Sequence, residues 1–412
     1  MSSDAVVDTR SELLSLLTEA CELEHGLACI YLYAAFSLKQ ELDEGITWED
    51  QQVARRWAAQ LYFVASQEML HLSQAWNLLS AIGGTPYHAR PNFPQGARSY
   101  PLGLPLELHP FAPDTIRRFI AFEEPEAQAA QRRAEERRQP SANARSDEEF
   151  TYRTVGELYS LIQSGFERID ARELFIGPRA HQVTPTLVHF PDIVDVHDRP
   201  SAIAAIEHIR TQGEGVRIDR EDSHWGIFRR IGEEYDTLLT ENSRSNLVRD
   251  VASNPVAHVR ADQDPLTVAP ITNPHSAQTA ELFDQVYGLM LRMLAYVFAG
   301  SERSPMAAPF AEAAIELMVT CIKPLGESLT LLPLGKQNES ARAGAPFALS
   351  RHIPLPAEAA VAWQLTIERL TELVDTAAAL ARTGRVAQLE AATDALQRIT
   401  RKLINTRADF DR

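Results

Sequence analysis

Ala65-Ser66-Gln67-Glu68-Met69-Leu70-His71 sets a carboxylate and an imidazole three residues apart inside a run whose apolar positions recur at helical spacing. On a helix such a pair lies on one face, one turn apart, so both side chains can reach a single metal ion. One Glu-x-x-His is common by chance. This chain carries a second, Glu221-Asp222-Ser223-His224, and two further helical runs each place an isolated Glu in apolar company: Glu24 in Leu23-Glu24-His25-Gly26-Leu27-Ala28, and Glu157 in Val155-Gly156-Glu157-Leu158-Tyr159. The order along the chain is Glu, Glu-x-x-His, Glu, Glu-x-x-His.

That order is the ligand pattern of carboxylate-bridged dinuclear four-helix bundles, in which two helices give a Glu and two give a Glu-x-x-His, all projecting inward. The expected metal ligands are therefore Glu24, Glu68, His71, Glu157, Glu221 and His224. By bundle symmetry Glu68 and Glu221 are the bridges, Glu24 and Glu157 the terminal carboxylates. Glu157 has a second reading: Thr154 is a fair N-cap, and a Glu three residues later completes a capping box. Tyr62 is a candidate redox or proton-donating tyrosine, although six residues before Glu68 it lies about 120° away around the helix. His25 follows Glu24 and points about 100° from it, which makes it a packed core histidine rather than a ligand.

The 412 residues, 45% of them hydrophobic, suffice for a substantial core. The formal charge of −16, from 56 acidic against 40 basic residues, argues against nucleic acid and anionic membrane as partners. Cys21, Cys29 and Cys321 sit in largely apolar helical segments and read as reduced core thiols. The start Met1-Ser2-Ser3-Asp4-Ala5 lacks the basic and apolar regions of a signal peptide, and no uninterrupted apolar run reaches about 18 residues, so the expected location is cytoplasmic.

Periodicity and caps predict helices from about Ser11 to Leu42, Trp48 to Ala81, Thr115 to Glu123, Thr154 to Arg172, Ser201 to Gln212 and Asp219 or Asp222 to Leu239. Beyond them come Ala277 to Phe298, Phe310 to Lys323, and a hairpin of Ala357 to Thr383 with Val386 to Ile404. A Pro-rich loop, Tyr87 to Pro113, and a His-bearing loop, Ile176 to Pro200, are candidates to line the entrance to the site. Every strong periodic signal is helical. The expected fold is all-α: a four-helix bundle with long insertions over 11–240, and a C-terminal helical extension over 241–412 that packs on the bundle or mediates homo-oligomer formation.

The segments around Glu24, Gln67 to His71 and Val155 to Tyr159, with Ala81-Ile82-Gly83-Gly84-Thr85-Pro86, Phe122-Glu123-Glu124-Pro125-Glu126 and Glu221 to His224, resemble the ferritin-like domain associated with iminophenyl-pyruvate dimer synthases. The resemblance covers roughly Ser11 to Leu239 and continues more weakly to about Gly326. It implies a ferritin-like fold and a place in secondary metabolism, where such domains belong to bisindole pathways. The chain departs from many di-iron bundles in one respect: the position before each Glu-x-x-His holds Gln67 or Arg220 instead of an acidic residue. A metal-bound histidine needs an acceptor for its second ring nitrogen, and Gln67, Asp219 or a backbone carbonyl is expected to provide it.

Two classes of function fit these residues. One is an oxygen-dependent oxidoreductase with two iron ions, or manganese in their place, acting on a small organic substrate with molecular oxygen. The other is a metal-binding or iron-oxidising protein without an organic substrate. The long loops and C-terminal helices, which a storage shell does not need, favour the first.

Overall fold

The computed structural model describes residues 6–410 except 97–99, 101–103, 139–151, 189, 214–220, 242–245, 262, 301–305, 336–339, 352 and 385. Its helices are α1 (Arg10–Ser37), α2 (Trp48–Ala81), α3 (Pro113–Phe122), α4 (Glu126–Arg138), α5 (Val155–Arg168), α6 (Ala171–Leu174), α7 (Pro185–Val188), α8 (Arg199–Gly213), α9 (His224–Glu241), α10 (Pro274–Ala299), α11 (Ala307–Leu317), α12 (Lys323–Leu329), α13 (Ala359–Gly384) and α14 (Ala387–Phe410). A π-turn, Met318–Ile322, joins α11 to α12. The only sheet among the described residues pairs Pro255–Val256 in parallel with Ala269–Pro270. The fold is all-α.

Local chemistry sets the helix ends. Thr47 caps α2 by accepting from Asp50 N–H in a reciprocal capping box, and Gly83, in the left-handed region at φ +89°, turns the chain out of that helix. Helix α1 begins earlier than its Ser11 reading: Thr9 is the cap and Glu12 closes the box. The reason is visible in the spelling, because Thr9 has a Glu three residues on and Ser11 has Leu14. Helix α3 begins at Pro113, whose missing N–H costs nothing at a first helical position.

α1 and α2 run against each other along their lengths, α3 packs on α9 and α5 on α8, while α5 also meets α1, and α8 and α9 meet α2. The interior is one continuous set of buried apolar side chains from Val7 to Leu403. Helix α10 is long and apolar enough to cross a membrane by length and composition, yet 61% of its apolar window is buried inside the fold, as a core helix requires. Cys21, Cys29 and Cys321 are buried and unbridged. The His-bearing loop is fastened to α2 by Asn77, whose Oδ1 accepts from Val183 N–H at 2.6 Å and whose Nδ2 donates to Val183 O and Val194 O at 2.9 Å each.

Candidate metal centre

Four charged side chains meet where α1, α2 and α9 come together, and each is almost sealed from solvent: Glu24 is 1% exposed, Glu68 1%, His71 2% and His224 0%. A fifth, Glu123 at the end of α3, is also buried. Unpaired charges at such depth are prohibitively costly, so the cluster calls for cations or protons between its members.

Glu68 is at the centre. Its Oε2 is 3.1 Å from His71 Nδ1 and its Oε1 is 3.0 Å from His224 Nδ1. Glu24 Oε2 lies 3.6 Å from the same nitrogen of His71, and Glu123 Oε2 lies 3.6 Å from that of His224. The cluster thus has two halves, each an imidazole nitrogen facing one end of Glu68 and one terminal carboxylate. The outer oxygen of each terminal carboxylate is held by a phenol: Tyr159 O–H donates to Glu24 Oε1 and Tyr31 O–H to Glu123 Oε1, both at 2.6 Å. Burial and the adjacent carboxylates raise both phenols well above the usual tyrosine range, so they stay protonated and keep donating.

The far edges of the imidazoles are matched as well. His71 Nε2 meets Gln212 Oε1 and His224 Nε2 meets Gln67 Oε1, each at 3.0 Å. An amide oxygen only accepts, so each Nε2 carries the hydrogen and each Nδ1 is the atom offered to the cluster. Gln212 is oriented in turn by its Nε2, which faces His208 Nε2 at 3.1 Å. Gln67 therefore fills the orienting role expected of it; Asp219 and Arg220 lie outside the described residues.

The donor set fits a metal. With N and O ligands about 2.0–2.2 Å from a first-row ion, adjacent donors stand about 3 Å apart, which is the spacing around Glu68. One donor atom each from Glu68, His71 and His224 lies within 4.8 Å of the others. Glu68 Oε1 and His224 Nδ1, although 3.0 Å apart, are not aligned for a hydrogen bond and are buried without a partner. Such a buried, misaligned pair is what a shared cation would satisfy.

Electrostatics follow the same geometry. Burial, and then the charge of Glu68, push Glu24 up to about 7. Burial alone would lower both imidazoles, but Glu24 and Glu68 raise His71 to about 10, and Glu68 with Glu123 raises His224 to about 9. Against its own burial, Glu68 is held below the ordinary carboxylate range by His224 and His71. Protons on the two Nδ1 atoms neutralise the cluster, and a divalent ion would displace them.

The structure brings together Glu24, Glu68, His71 and His224 of the six expected ligands. It does not bring in Glu157 or Glu221. Glu157 is used at the start of α5: Thr154 caps the helix as expected, its Oγ1 accepting from Glu157 N–H at 3.0 Å, while Glu157 Oε2 accepts from Arg153 N–H at 2.7 Å, one residue before the N–H that a reciprocal capping box would use. Glu221 is on a turn ahead of α9 with its side chain 91% exposed, 3.8 Å from Arg230. Ser223 ends that turn: its Oγ accepts from Gly226 N–H and its carbonyl from Ile227 N–H, so His224 is the first residue of the helix and Glu221 is outside it. Three-residue spacing means a shared face only within a helix.

Sequence reading missed Glu123, Gln212, Tyr31 and Tyr159. The first sits in the Phe122-Glu123-Glu124-Pro125-Glu126 segment that carries part of the family resemblance, and that was its one signal. Tyr62 is elsewhere, its hydroxyl donating to Glu327 Oε1 at 2.7 Å under Lys323. His25 takes the Tyr287 hydroxyl as partner, in keeping with a core histidine. His181 and His197 do not join the cluster, and His189 lies outside the described residues.

The cavity beside the cluster is small, about 20 Å³, and is bounded by Leu27, Phe122, Val155, Tyr159 and Ile209 among others. It has room for about one water molecule. Among the described residues neither of the two long loops lines it; the Pro-rich loop instead lines a larger cavity elsewhere.

The chain is similar to several known proteins. The chain is 28% identical over 376 residues to a dichlorochromopyrrolate synthase of Lentzea aerocolonigenes, covering 82% of this chain and 36% of that protein. It is 26% identical over 367 residues to a 2-imino-3-(indol-3-yl)propanoate dimerase of Chromobacterium violaceum, covering 82% of this chain and 34% of that protein. The chain thus matches about a third of the length of these relatives. Among solved structures it is similar to a ferritin-like protein of Caulobacter vibrioides, with TM-score 0.49 and 17% identity over 83% of this chain and 100% of the other. A family model described as ferritin-like matches residues 17–233, just over half of the 412, and the chain belongs to the ferritin-like family.

Proposed function

We propose that Glu24, Glu68, His71, Glu123 and His224 bind two metal ions with Glu68 as the bridge, and that the chain is an oxygen-dependent oxidoreductase of secondary metabolism. Iron is the ion proposed, with manganese accepted by the same donors. The observation that supports this most strongly is the paired geometry around Glu68, in which each half supplies one imidazole, one terminal carboxylate, one phenol and one orienting glutamine. When bound, a dinuclear centre of this type supplies redox equivalents and open positions for oxygen.

The protein side chains do the rest. Gln67 and Gln212 keep the Nδ1 atoms aimed inward, Tyr31 and Tyr159 hold Glu123 and Glu24 in one rotamer, and the apolar walls of Leu27, Phe122 and Val155 exclude bulk water. The substrate is proposed to be a small oxidisable organic acid, because the two curated relatives are named as a synthase and a dimerase and one is named for an indolyl imino acid.

A second reading, iron binding or oxidation without an organic substrate, is favoured by the 20 Å³ cavity, which admits only small reactants to the cluster. Oxygen uptake by anaerobically iron-loaded protein separates the two. Sustained uptake when an indolyl imino acid is generated in the assay supports the oxidoreductase. Uptake limited to one event per loaded centre, whatever organic acid is present, supports the second reading, and protein that retains no metal overturns both.

A further inference from the structure

A second cavity, of about 710 Å³, lies between α10, the Pro-rich loop and residues Leu349, Ser350, Arg351 and Ile353, and shares no lining residue with the cavity at the carboxylate cluster. Its size is that of a small-molecule site, for which about 300–1,000 Å³ is usual. Its charge runs against that of the molecule. Five arginines, Arg90, Arg260, Arg292, Arg351 and Arg369, line it with three carboxylates, Glu107, Asp264 and Asp284, in a chain of net charge −16.

Two of the arginines, Arg90 and Arg292, keep a buried Nε without a hydrogen bond. Arg90 is 5% exposed; its terminal nitrogens donate to Pro91 O at 3.0 Å and Phe347 O at 2.6 Å, while its Nε is buried without a hydrogen bond. Arg292 Nε is also buried without a hydrogen bond, and among the described residues no carboxylate pairs with its guanidinium. Burial and the charge of Arg369 both work against the protonated form of Arg292, and Arg369 is paired with Glu372 at 2.6 Å, so of these two cations Arg292 is the one that lacks a carboxylate partner among the described residues. A half-buried cation with a buried, unpaired Nε gains from a counter-charge brought beside it.

The rest of the wall narrows the class of ligand. Leu289, Leu291, Leu349 and Ile353 give an apolar side for an organic body. Asp284 makes one backbone contact, accepting from Ala348 N–H at Oδ1 over 2.9 Å, and burial raises its carboxyl well above the usual carboxylate range, so a cationic or N–H-bearing group beside it would favour the ionised, accepting form. Gly288 sits mid-helix in α10, where glycine costs about 1 kcal/mol relative to alanine. A Cβ there would meet nothing within 4 Å, so the missing side chain is open space belonging to the cavity.

We propose that this cavity binds a small organic carboxylate bearing a hydrogen-bond donor: Arg292, with Arg369 beside it, takes the carboxylate, and Asp284 takes the donor. This goes beyond the metal reading, because binding needs no metal. The test is calorimetry on the full, metal-free chain with three probes of one shape, L-tryptophan, 3-indolepropionate and L-tryptophanamide. Tryptophan is the stable amino counterpart of the imino acid named in one relative.

Tryptophan is expected to bind about tenfold or more tighter than its amide, the effect of one charge-assisted hydrogen-bonded contact. Arg292→Gln should remove that preference while leaving amide binding unchanged. Asp284→Asn should remove the preference for tryptophan over 3-indolepropionate. Gly288→Leu, which intrudes on the cavity without a backbone clash, should weaken binding of all three at a melting temperature no lower than that of the wild type. Equal affinity for tryptophan and its amide, an unaltered preference in Arg292→Gln, or no binding by any probe overturns the proposal. Because no metal is present, loss of oxygen chemistry with tryptophan binding intact counts against the metal reading alone, and the converse counts against the cavity alone.

Discussion

The two Glu-x-x-His segments are spelled alike and built differently. Glu68 and His71 lie deep within the 34-residue α2, one turn apart on a buried face. Glu221 and His224 straddle a helix start, with Ser223 capping and Glu221 left in solvent. A ligand spacing is worth only what the backbone beneath it makes of it. The second pair lost its carboxylate to a cap, and Glu123 arrived from another helix to take up the second half of the cluster.

The largest break in that comparison should come at Glu68. Glu68→Ala removes the carboxylate common to both halves, and metal analysis should find both ions lost. The same change at Glu221 should leave occupancy untouched and alter stability by no more than about 0.5 kcal/mol, as for other exposed positions. A variant lacking Glu68 that retains two ions would break the account of the bridge.

The next effect belongs to pH. Free carboxyl and imidazole groups titrate near 4.5 and 6.5, whereas Glu24 in the fold titrates near 7, His71 near 10 and His224 near 9. Stability tied to protonated Glu24 is lost as pH rises from 4.5 through 7. That contributed by the two imidazolium groups is fully present below 6.5 and lost as pH rises through 9 and 10. Glu68, held low, works the other way: its contribution is present above 4.5 and lost on acidification through its lowered pKa. Metal-free protein should therefore melt lower at pH 9 than at pH 6. Metal affinity should rise over the same interval as Nδ1 protons are displaced. Melting curves that are flat in pH without metal would contradict the buried proton inventory.

Replacing Gln67 or Gln212 with Leu should cost about 10–100-fold in metal affinity, the usual effect of losing a group that orients a ligand. Titration with iron under anaerobic conditions measures it. The smallest effect is expected at Glu157. Its Ala variant should lose about 0.5–1.5 kcal/mol of stability through the lost hydrogen bond from Arg153 N–H and bind metal normally, as denaturant unfolding and metal analysis would show.

Much of the fold was legible because its signals are local. Thr47 with Asp50 announces the start of α2, and Gly83 its end, while the periodic apolar positions of α2 place Glu68 and His71 inside. Glu24 was legible because a lone carboxylate in an apolar stretch needs a reason, and Gln67 because a ligating imidazole needs an acceptor. Glu123 was not legible, because it lies at the C-terminus of a ten-residue helix whose position depends on the whole path of the Pro-rich loop before it. Gln212, at the end of α8, reaches His71 across 141 positions of sequence, and no periodicity encodes that meeting. Tyr159 shares its helix with Glu157, and only packing shows which of the two turns inward.

The most direct measurement is metal stoichiometry on anaerobically iron-loaded protein, comparing wild type, Glu123→Ala and the double variant Glu157→Ala, Glu221→Ala. The account predicts two ions per chain in the wild type and in the double variant, and one or fewer in Glu123→Ala. Loss of metal from the double variant, with Glu123→Ala still holding two ions, would contradict it.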